Sequence, residues 1–308
     1  MTVSDGSGFD GSGWDGRGLP PVAQARVERA AAGRLRTSLF AAREAATLRA
    51  VGLEPVGDVM GCVVEHIGWG GYGCGAYTGT GMGGYNWSPP TLTSGMGGYA
   101  GYAPYVDALY YGFEVALHRM LLEAQALGAD GVVGVRWTQE RIDANHNREF
   151  VALGTAVRAR GGQRPAHLFS TDLAGQDVVK LMHGGWMPSG LVIGIAVAVR
   201  HDDYYTRRQV TSWTNVEVTG YTELVTFARA DARAKFAQRA AKHGGDAAIV
   251  SDMAMHVWAL EAGENHRDHV AESVVTGTSL AKFHQGAQAP TDALMMLPLK
   301  GTDRRSMK

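Results

Sequence analysis

The sequence predicts a mixed α and β fold built from two tandem copies of one domain of about 120 residues. The first observation is a phrase that occurs twice, in residues 52–61 and 185–194, with Gly, Pro, Gly and Gly at identical spacing. Two further pairs of similar phrases follow in the same order, residues 127–133 with 243–249 and residues 150–156 with 273–279. Three matches in one order indicate a tandem duplication.

The overall composition is that of an ordinary globular protein and narrows the functions open to it. The 308 residues include 29 Lys and Arg against 30 Asp and Glu, without a long basic run, which argues against general nucleic-acid binding. The longest apolar run, residues 190–199, is too short to span a bilayer, which requires about 20 residues, and predicts a buried strand. Residues 1–18 do not read as a secretory signal, and Cys62 and Cys74 are too few for a disulfide framework. We therefore expect a cytoplasmic protein with reduced thiols.

The first 34 residues are expected to lie outside the repeats. Residues 1–20 repeat the dipeptide Asp-Gly among scattered serines. Such a composition cannot offset its own ordering entropy, so we expect a disordered head. Pro20 and Pro21 then favour a short helix within residues 21–34, because proline suits the first helical turn.

Repeat 1, residues 35–160, is expected to begin with a strand, a short helix and a second strand. The pattern predicts these elements over residues 36–40, 44–51 and 56–67, with Gly52 ending the helix. Residues 68–105 then form a Gly/Tyr-rich insertion that is too long for an ordinary connection. Its tyrosines suit a binding loop, with a subunit contact favoured if a ring forms, and a flexible surface insertion is the alternative.

The longest helix of repeat 1 is predicted over residues 105–127. Apolar residues recur there at spacings of three and four, which gives the helix one apolar face, and Gly128 ends it. Strands over residues 131–137 and 149–158 follow. The polar stretch at residues 140–148 between them predicts a hairpin.

Repeat 2, residues 166–282, copies this order with different connections. Its predicted elements are a strand over residues 169–171, a helix over 175–183, a strand over 189–200, a polar loop over 201–213, a helix over 221–242 and strands over 247–260 and 271–280. The tail, residues 283–308, contains an apolar segment at residues 293–299. Because this segment would tend to aggregate in water, we expect residues 293–297 to dock as an edge strand whose pairing ends at Pro298.

Two stretches of each repeat carry a resemblance to a known family. Residues 127–133 and 150–157 of repeat 1, and more loosely residues 243–250 and 273–280 of repeat 2, resemble the YbjQ-like family, whose domains carry a heavy-metal-binding label. The two-copy arrangement is similar to bacterial proteins of high-GC Gram-positive species. The resemblance implies a small α+β, dodecin-like domain, in which one long helix covers an antiparallel sheet, and assembly into five-fold rings. It does not supply an activity.

Metal ligands are the first candidate site residues. His266 and His269 are three residues apart, and with Asp268 they could converge on a divalent metal, although a solvated hairpin connection is the alternative. Cys62 and Cys74, with His66 added, are weaker candidates for a zinc or copper site, because eleven residues separate the cysteines and thiolate sites usually show a close pair. We expect no other cofactor.

Carboxylates at strand ends and turns are the second group of candidates. Asp202 and Asp203, which follow His201, could bind a cation, but the favoured interpretation is that they end the strand in solvent. Asp130 and Asp246 occupy equivalent positions in the two repeats. Either would be the catalytic residue if the protein had a remote alternative function, that of a hydrolase. The favoured role for both is to hold a turn by bonding backbone amides.

These observations favour a non-enzymatic assembly protein without catalytic residues. The expected partner is the protein itself, in a homo-oligomer of five chains, with neither nucleic acid nor a membrane span. Its clefts could bind a small ligand. A metal-binding or metal-responsive protein is the alternative, as the family label suggests.

Overall fold

A computed structural model describes most of both repeats. The described residues are 14–15, 18–32, 39–67, 91–93, 102–142, 147–161, 164–165, 167–263, 266–283 and 296–298. The expectation of a disordered head falls mainly on residues outside this part of the chain, as does most of the Gly/Tyr-rich insertion. The predicted strand over residues 36–40 is described only at Leu39 and Phe40, which form a bend and not a strand.

The main elements follow each other in the same order in both halves: a short helix, a long strand, a long helix and two strands. The helices are α1 (Pro21–Ala31), α2 (Ala42–Ala50), α3 (Ala103–Ala126), α4 (Gly175–His183), α5 (Tyr204–Val210) and α6 (Thr219–Lys242). The strands are β1 (Leu53–His66), β2 (Thr91–Thr93), β3 (Gly131–Arg141), β4 (Asn147–Ala159), β5 (Phe169–Ser170), β6 (Trp186–His201), β7 (Ala247–Gly263), β8 (His266–Lys282) and β9 (Met296–Pro298). Among the described residues, no helix is long and apolar enough to cross a membrane.

The strands form two sheets, which confirms the α+β class. Sheet one has the order β1-β4-β3-β5, and sheet two has the order β2-β6-β8-β7-β9. The long strands of each sheet pair in antiparallel fashion. Each sheet is covered by one 24-residue helix, α3 on sheet one and α6 on sheet two.

Glycine allows each helix to lie directly on its sheet. A Cβ atom built at Gly61 of β1 would overlap the carbonyl oxygen of Ala116 in α3. A Cβ atom at Gly194 of β6 would overlap the carbonyl oxygen of Ala232 in α6 in the same way. The repeated glycine phrase therefore marks the same close approach of helix and strand in both halves.

Other irregular features of the backbone also recur. The pairing of β1 with β4 shifts between Pro55 and Gly57, and that of β6 with β8 shifts between Pro188 and Gly190. The glycines that follow α3 and α6, Gly128 and Gly244, have positive φ angles of 67° and 72°. Glycine adopts this left-handed conformation at little cost, which explains why it ends both helices.

Sheet two is packed between the two long helices. On β6, Val192, Ala196 and Ala198 face α6 and its neighbours. The alternate residues join the core that contains α3, and they are Leu191, Ile193, Ile195, Val197 and Val199. Because both faces of β6 are buried, its sequence is an almost unbroken apolar run.

The connection after β6 differs from the sequence prediction. The polar loop expected over residues 201–213 is wrong, because this stretch contains helix α5. The side chain of Asp203 caps its first turn by accepting a hydrogen bond from the backbone N–H of Thr206 at 2.7 Å. A polar composition is compatible with a short helix when such a cap is present.

Short strands lie along the outer edges of both sheets. β5 pairs in parallel with the start of β3, Phe169 opposite Gly131. β9, from the tail, pairs with the start of β7, Leu297 opposite Ala248. The tail was expected to dock at a sheet edge, and β9 occupies such an edge. Docking of residues 293–295 and 299 stays a prediction, because they lie outside the described residues. β2, from the Gly/Tyr-rich insertion, pairs with the end of β6.

Candidate functional site

Helix α3 joins the two repeats because it is buried on two sides. The side that faces its own sheet includes Gly112, Ala116, Met120 and Ala124, whose counterparts on α6 are also buried. A second set of buried residues has no buried counterpart on α6, and it comprises Tyr105, Val106, Leu109 and Phe113. These residues join the same core as the outer face of sheet two. The outer surface of α3 is therefore one contact between the repeats, beside those of α2 with α4 and of β5 with β3.

Within this contact, a tyrosine hydroxyl forms hydrogen bonds with the backbone of β6. The hydroxyl of Tyr110 accepts a hydrogen bond from the backbone N–H of Ile195 at 2.7 Å and lies 3.3 Å from its carbonyl oxygen, to which it donates. Burial raises the pKa of Tyr110. The guanidinium of Arg239 lies 3.7 Å from the centre of the Tyr110 ring and donates to Glu114 at 2.7 Å. The two repeats are thus joined by polar as well as apolar contacts.

A second polar link runs from α3 to β8. The hydroxyl of Tyr105 donates a hydrogen bond to the carboxylate of Glu272. Arg148 of β4 donates to the Tyr105 oxygen at 2.5 Å, and its other terminal nitrogen lies 3.7 Å from Glu272. Burial, followed by the negative charge of Glu272, raises the pKa of Tyr105. The phenol therefore keeps its proton and remains a donor at neutral pH.

A cleft of about 850 Å³ opens beside this link, between the two repeats. Repeat 1 contributes Arg136, Trp137 and Arg148, and repeat 2 contributes Asp172 and Glu272, so one wall is mainly basic and the other mainly acidic. The volume is within the range of small-molecule sites. The buried indole nitrogen of Trp137 makes no hydrogen bond to any residue that the structure describes.

Asp172 is the carboxylate of this cleft whose pKa departs from its ordinary value. Burial raises the pKa of Asp172, and a hydrogen bond from the Thr278 hydroxyl at 2.6 Å opposes the increase only in part. Asp252, which also lines the cleft, adds to the increase through its negative charge. Asp172 is therefore less readily ionised than an exposed aspartate.

The histidines and aspartates predicted near the end of sheet two form two separate pairs. His201 bonds Asp268 at 3.0 Å, and His269 bonds Asp202 at 2.9 Å. Tyr221 also donates to Asp202, and burial followed by the Asp202 charge raises its pKa to about 12. Asp268 and His269 therefore bond different partners.

Two sequence interpretations are wrong here. Asp268 is fully buried, so it does not belong to a solvated hairpin, and Asp202 is only 4% exposed, so it does not end its strand in solvent. Both errors have one cause: β6 and β8 extend further than predicted and bury this end of the sheet. Asp203 caps α5 instead of meeting a cation.

The remaining metal candidates are separated. Cys62 and His66 are four residues apart on β1, or about 13 Å along the strand. The ring nitrogen Nδ1 of His66 lies 3.0 Å from the side-chain oxygen of Asn147. Within the described residues, no three His, Cys, Asp or Glu side chains are grouped closely enough to hold a metal ion. The side chain of His266 and the whole of Cys74 lie outside those residues, so a site that includes either stays a prediction.

Asp130 and Asp246 perform the same structural task in the two repeats. The carboxylate of Asp130 accepts a hydrogen bond from the backbone N–H of Ala159 at 2.8 Å. The carboxylate of Asp246 accepts one from Lys282 at 3.1 Å. Each aspartate therefore ties the end of the last strand to the turn after the helix, which fits the favoured turn-holding role.

The residues that join the repeats were not identified from the sequence. Tyr105 and Glu272 are 167 positions apart, and no local pattern connects them. One signal was present: the second side of α3 carries aromatic residues, including Tyr105, Tyr110 and Phe113, beyond the single apolar face that was recognised. Apolar residues on two sides of a helix indicate that both sides are buried.

Fold and contact together define a tandem-repeat α+β protein whose repeats are stacked through one helix. The YbjQ-like family model, described as "Putative heavy-metal-binding", matches residues 90–160. The encapsulin nanocompartment protein Rv1762c of Mycobacterium tuberculosis is 31% identical over 280 residues, which cover 87% of this chain and 93% of that protein. This chain therefore belongs to the YbjQ-like family and, over most of its length, to the same family as the mycobacterial protein.

Shorter matches agree with this assignment. A UPF0145 protein of Halorubrum lacusprofundi is 42% identical over 71 residues, which cover 22% of this chain and 67% of that protein. A UPF0145 protein of Archaeoglobus fulgidus is 53% identical over 45 residues, which cover 15% of this chain and 41% of that protein. No solved structure matches the chain significantly.

Proposed function

We propose that this protein is a non-enzymatic structural protein of the bacterial cytoplasm that assembles with copies of itself. One observation carries the proposal: the repeats contact each other head to tail, with the helix of repeat 1 on the sheet of repeat 2. Among the described residues, such a contact leaves part of the corresponding sheet face of repeat 1, around Val64, and of the helix face of repeat 2, around Thr222 and Thr226, exposed. A head-to-tail contact that is repeated between chains produces rings or filaments. The name of the mycobacterial relative, a nanocompartment protein, also supports an assembly role.

We further propose a closed ring of five chains. Light scattering coupled to size-exclusion chromatography, or native mass spectrometry, at micromolar concentration tests this proposal. The expected mass is five times the 32.8 kDa mass of one chain. A protein that remains a single chain under these conditions would contradict self-assembly, and a different multiple would contradict only the five-fold ring.

The cleft between the repeats is where we propose that a small ligand binds. Its opposed basic and acidic walls favour a compound with both charges, and Trp137 lies at the wall as a reporter. A ligand retained by the purified protein would be released by denaturation and identified by mass spectrometry. The variant Trp137→Phe should alter the fluorescence change on binding, whereas Trp213→Phe, at a fully exposed position, should not.

Metal binding is the second candidate function, and the description of the matching family model favours it. Elemental analysis of the purified protein, before and after incubation with zinc, separates the two functions. Stoichiometric metal that is lost in the variants His266→Ala and His269→Ala would support a metal site. Absence of bound metal in both samples would contradict it.

A further inference from the structure

Helices α3 and α6 correspond residue by residue. Both have 24 residues, and both place an alanine carbonyl, Ala116 or Ala232, over the equivalent glycine of the sheet. In this correspondence Tyr110 of α3 matches Thr226 of α6, and Tyr111 matches Phe227. The contact between the repeats can therefore serve as a template for surfaces that the single chain leaves open.

The outer face of sheet one is the open counterpart of a buried surface. Ile195 and Val197 on sheet two are 0% and 1% exposed, because α3 covers them. Their counterparts on sheet one are Cys62, which is half-buried, and Val64, which is 54% exposed. Sheet one therefore exposes this part of the face, whereas Val133 and Val157 on the same face are buried against α2 and α4.

The outer face of α6 is the matching open surface on the other repeat. Val106 and Tyr110 of α3 contribute to the contact with sheet two, whereas their counterparts Thr222 and Thr226 are exposed. A shallow groove of about 360 Å³ runs along this face, and Thr222 and Thr226 line it. In a single chain no described element covers the groove in the way that sheet two covers α3.

The two open faces are more polar than the surfaces of the template. On sheet one, Glu140 lies directly opposite Glu149. On α6, the exposed residues Arg229 and Arg233 replace Phe113 and Leu117 of the template, and Glu217 and Glu223 line the groove.

We propose that α6 of one chain packs on the outer face of sheet one of the next chain, as α3 packs on sheet two within the chain. The proposal rests on the self-assembly proposed above and identifies the surfaces that form it. The contact is heterologous, since each chain offers a helix face to one neighbour and a sheet face to the other. Because threonine and arginine replace valine and phenylalanine, it is more polar than the contact inside the chain.

Two positions on α6 test the helix side. Thr226→Arg places a long charged side chain where the template has Tyr110 against Ile195, and it should reduce the assembled mass to that of a single chain at micromolar concentration. Ala241→Arg is the matched control, because Ala241 does not line the groove and its counterpart Gln125 stays exposed in the template. This control should retain the wild-type mass. Both positions are at the surface of a single chain, so circular dichroism should show unchanged folding.

Val64→Arg tests the sheet side. It should abolish assembly to the same degree as Thr226→Arg. Val22→Arg on α1, at a surface position that is 48% exposed, is the control for an added charge and should leave assembly unchanged.

Mixing the two defective variants tests the direction of the contact. The Val64→Arg chain keeps an intact α6, and the Thr226→Arg chain keeps an intact sheet one, so an equimolar mixture should form pairs of one chain of each kind and nothing larger. Wild-type mass in both separate variants would overturn the proposed surfaces while leaving self-assembly intact. A monomeric wild type would instead overturn self-assembly, and this contact with it.

Discussion

At the scale of single residues, glycine sets the distance between helix and sheet. Gly61 and Gly194 each lie against the backbone of a long helix, and neither position has room for a Cβ atom. Gly57 lies earlier in the same strand. A Cβ atom built there would lie 3.4 Å from the Cδ1 atom of Leu127, which is an ordinary contact. The repeated phrase therefore contains glycines with different tasks.

Alanine substitution should separate these tasks. Gly61→Ala and Gly194→Ala should each destabilise the protein by about 1–3 kcal/mol or more, because the helix must move away from the sheet. Gly57→Ala should change stability much less. Urea unfolding followed by circular dichroism measures the difference, and equal effects at Gly57 and Gly61 would contradict the close-approach explanation.

At the scale of elements, α5 depends on the side chain that begins it. Asp203 caps the helix and bonds the guanidinium of Arg200 at 3.1 Å. Burial alone would raise the pKa of Asp203, but the hydrogen bonds from Thr206 and the charge of Arg200 outweigh it and lower the pKa. The ionised carboxylate is therefore the form that the folded protein prefers.

Removal of this cap should destabilise the protein in a pH-dependent way. Asp203→Ala should cost about 0.5–2 kcal/mol at neutral pH. Because the folded pKa lies below the ordinary value, the carboxylate stabilises the fold at pH values above about 4, and this contribution is lost as the pH falls through the folded pKa. The difference between wild type and Asp203→Ala should thus shrink toward pH 3 in thermal melts. Asp203→Asn, which keeps a capping oxygen, should lose less at neutral pH.

The elements were more predictable than the contacts between them. The glycine, proline and apolar patterns gave the bounds of α4 and came close for α3 and α6, because each depends on local sequence. Strands β7 and β8 extend well beyond their predicted ends. The polar residues Asp268 and Glu272 lie within β8 because they pair with β6, whose residues are distant in sequence. The stacking of α3 on sheet two is a long-range contact of the same kind, so the candidate site could not be derived from local patterns.

At the scale of the whole molecule, sheets and helices alternate in one stack. Sheet one, α3, sheet two and α6 follow each other, and each inner layer is buried on both faces. The stack has two dissimilar ends, which suits head-to-tail addition of further copies. The tail also belongs to this arrangement, because its strand β9 pairs with β7 at the edge of sheet two.

The tail should therefore contribute to the integrity of sheet two. Leu294→Asp combined with Leu297→Asp introduces charge into the segment that supplies β9, and pairing with Ala247–Ile249 should weaken. An unpaired sheet edge exposes backbone donors and acceptors and invites association with other chains. We expect a lower melting temperature or an altered particle size by light scattering. Thr302→Asp, beyond the paired strand, is the control for added negative charge and should leave both unchanged. If the double variant retains the melting temperature and particle size of the wild type, the tail does not support sheet two.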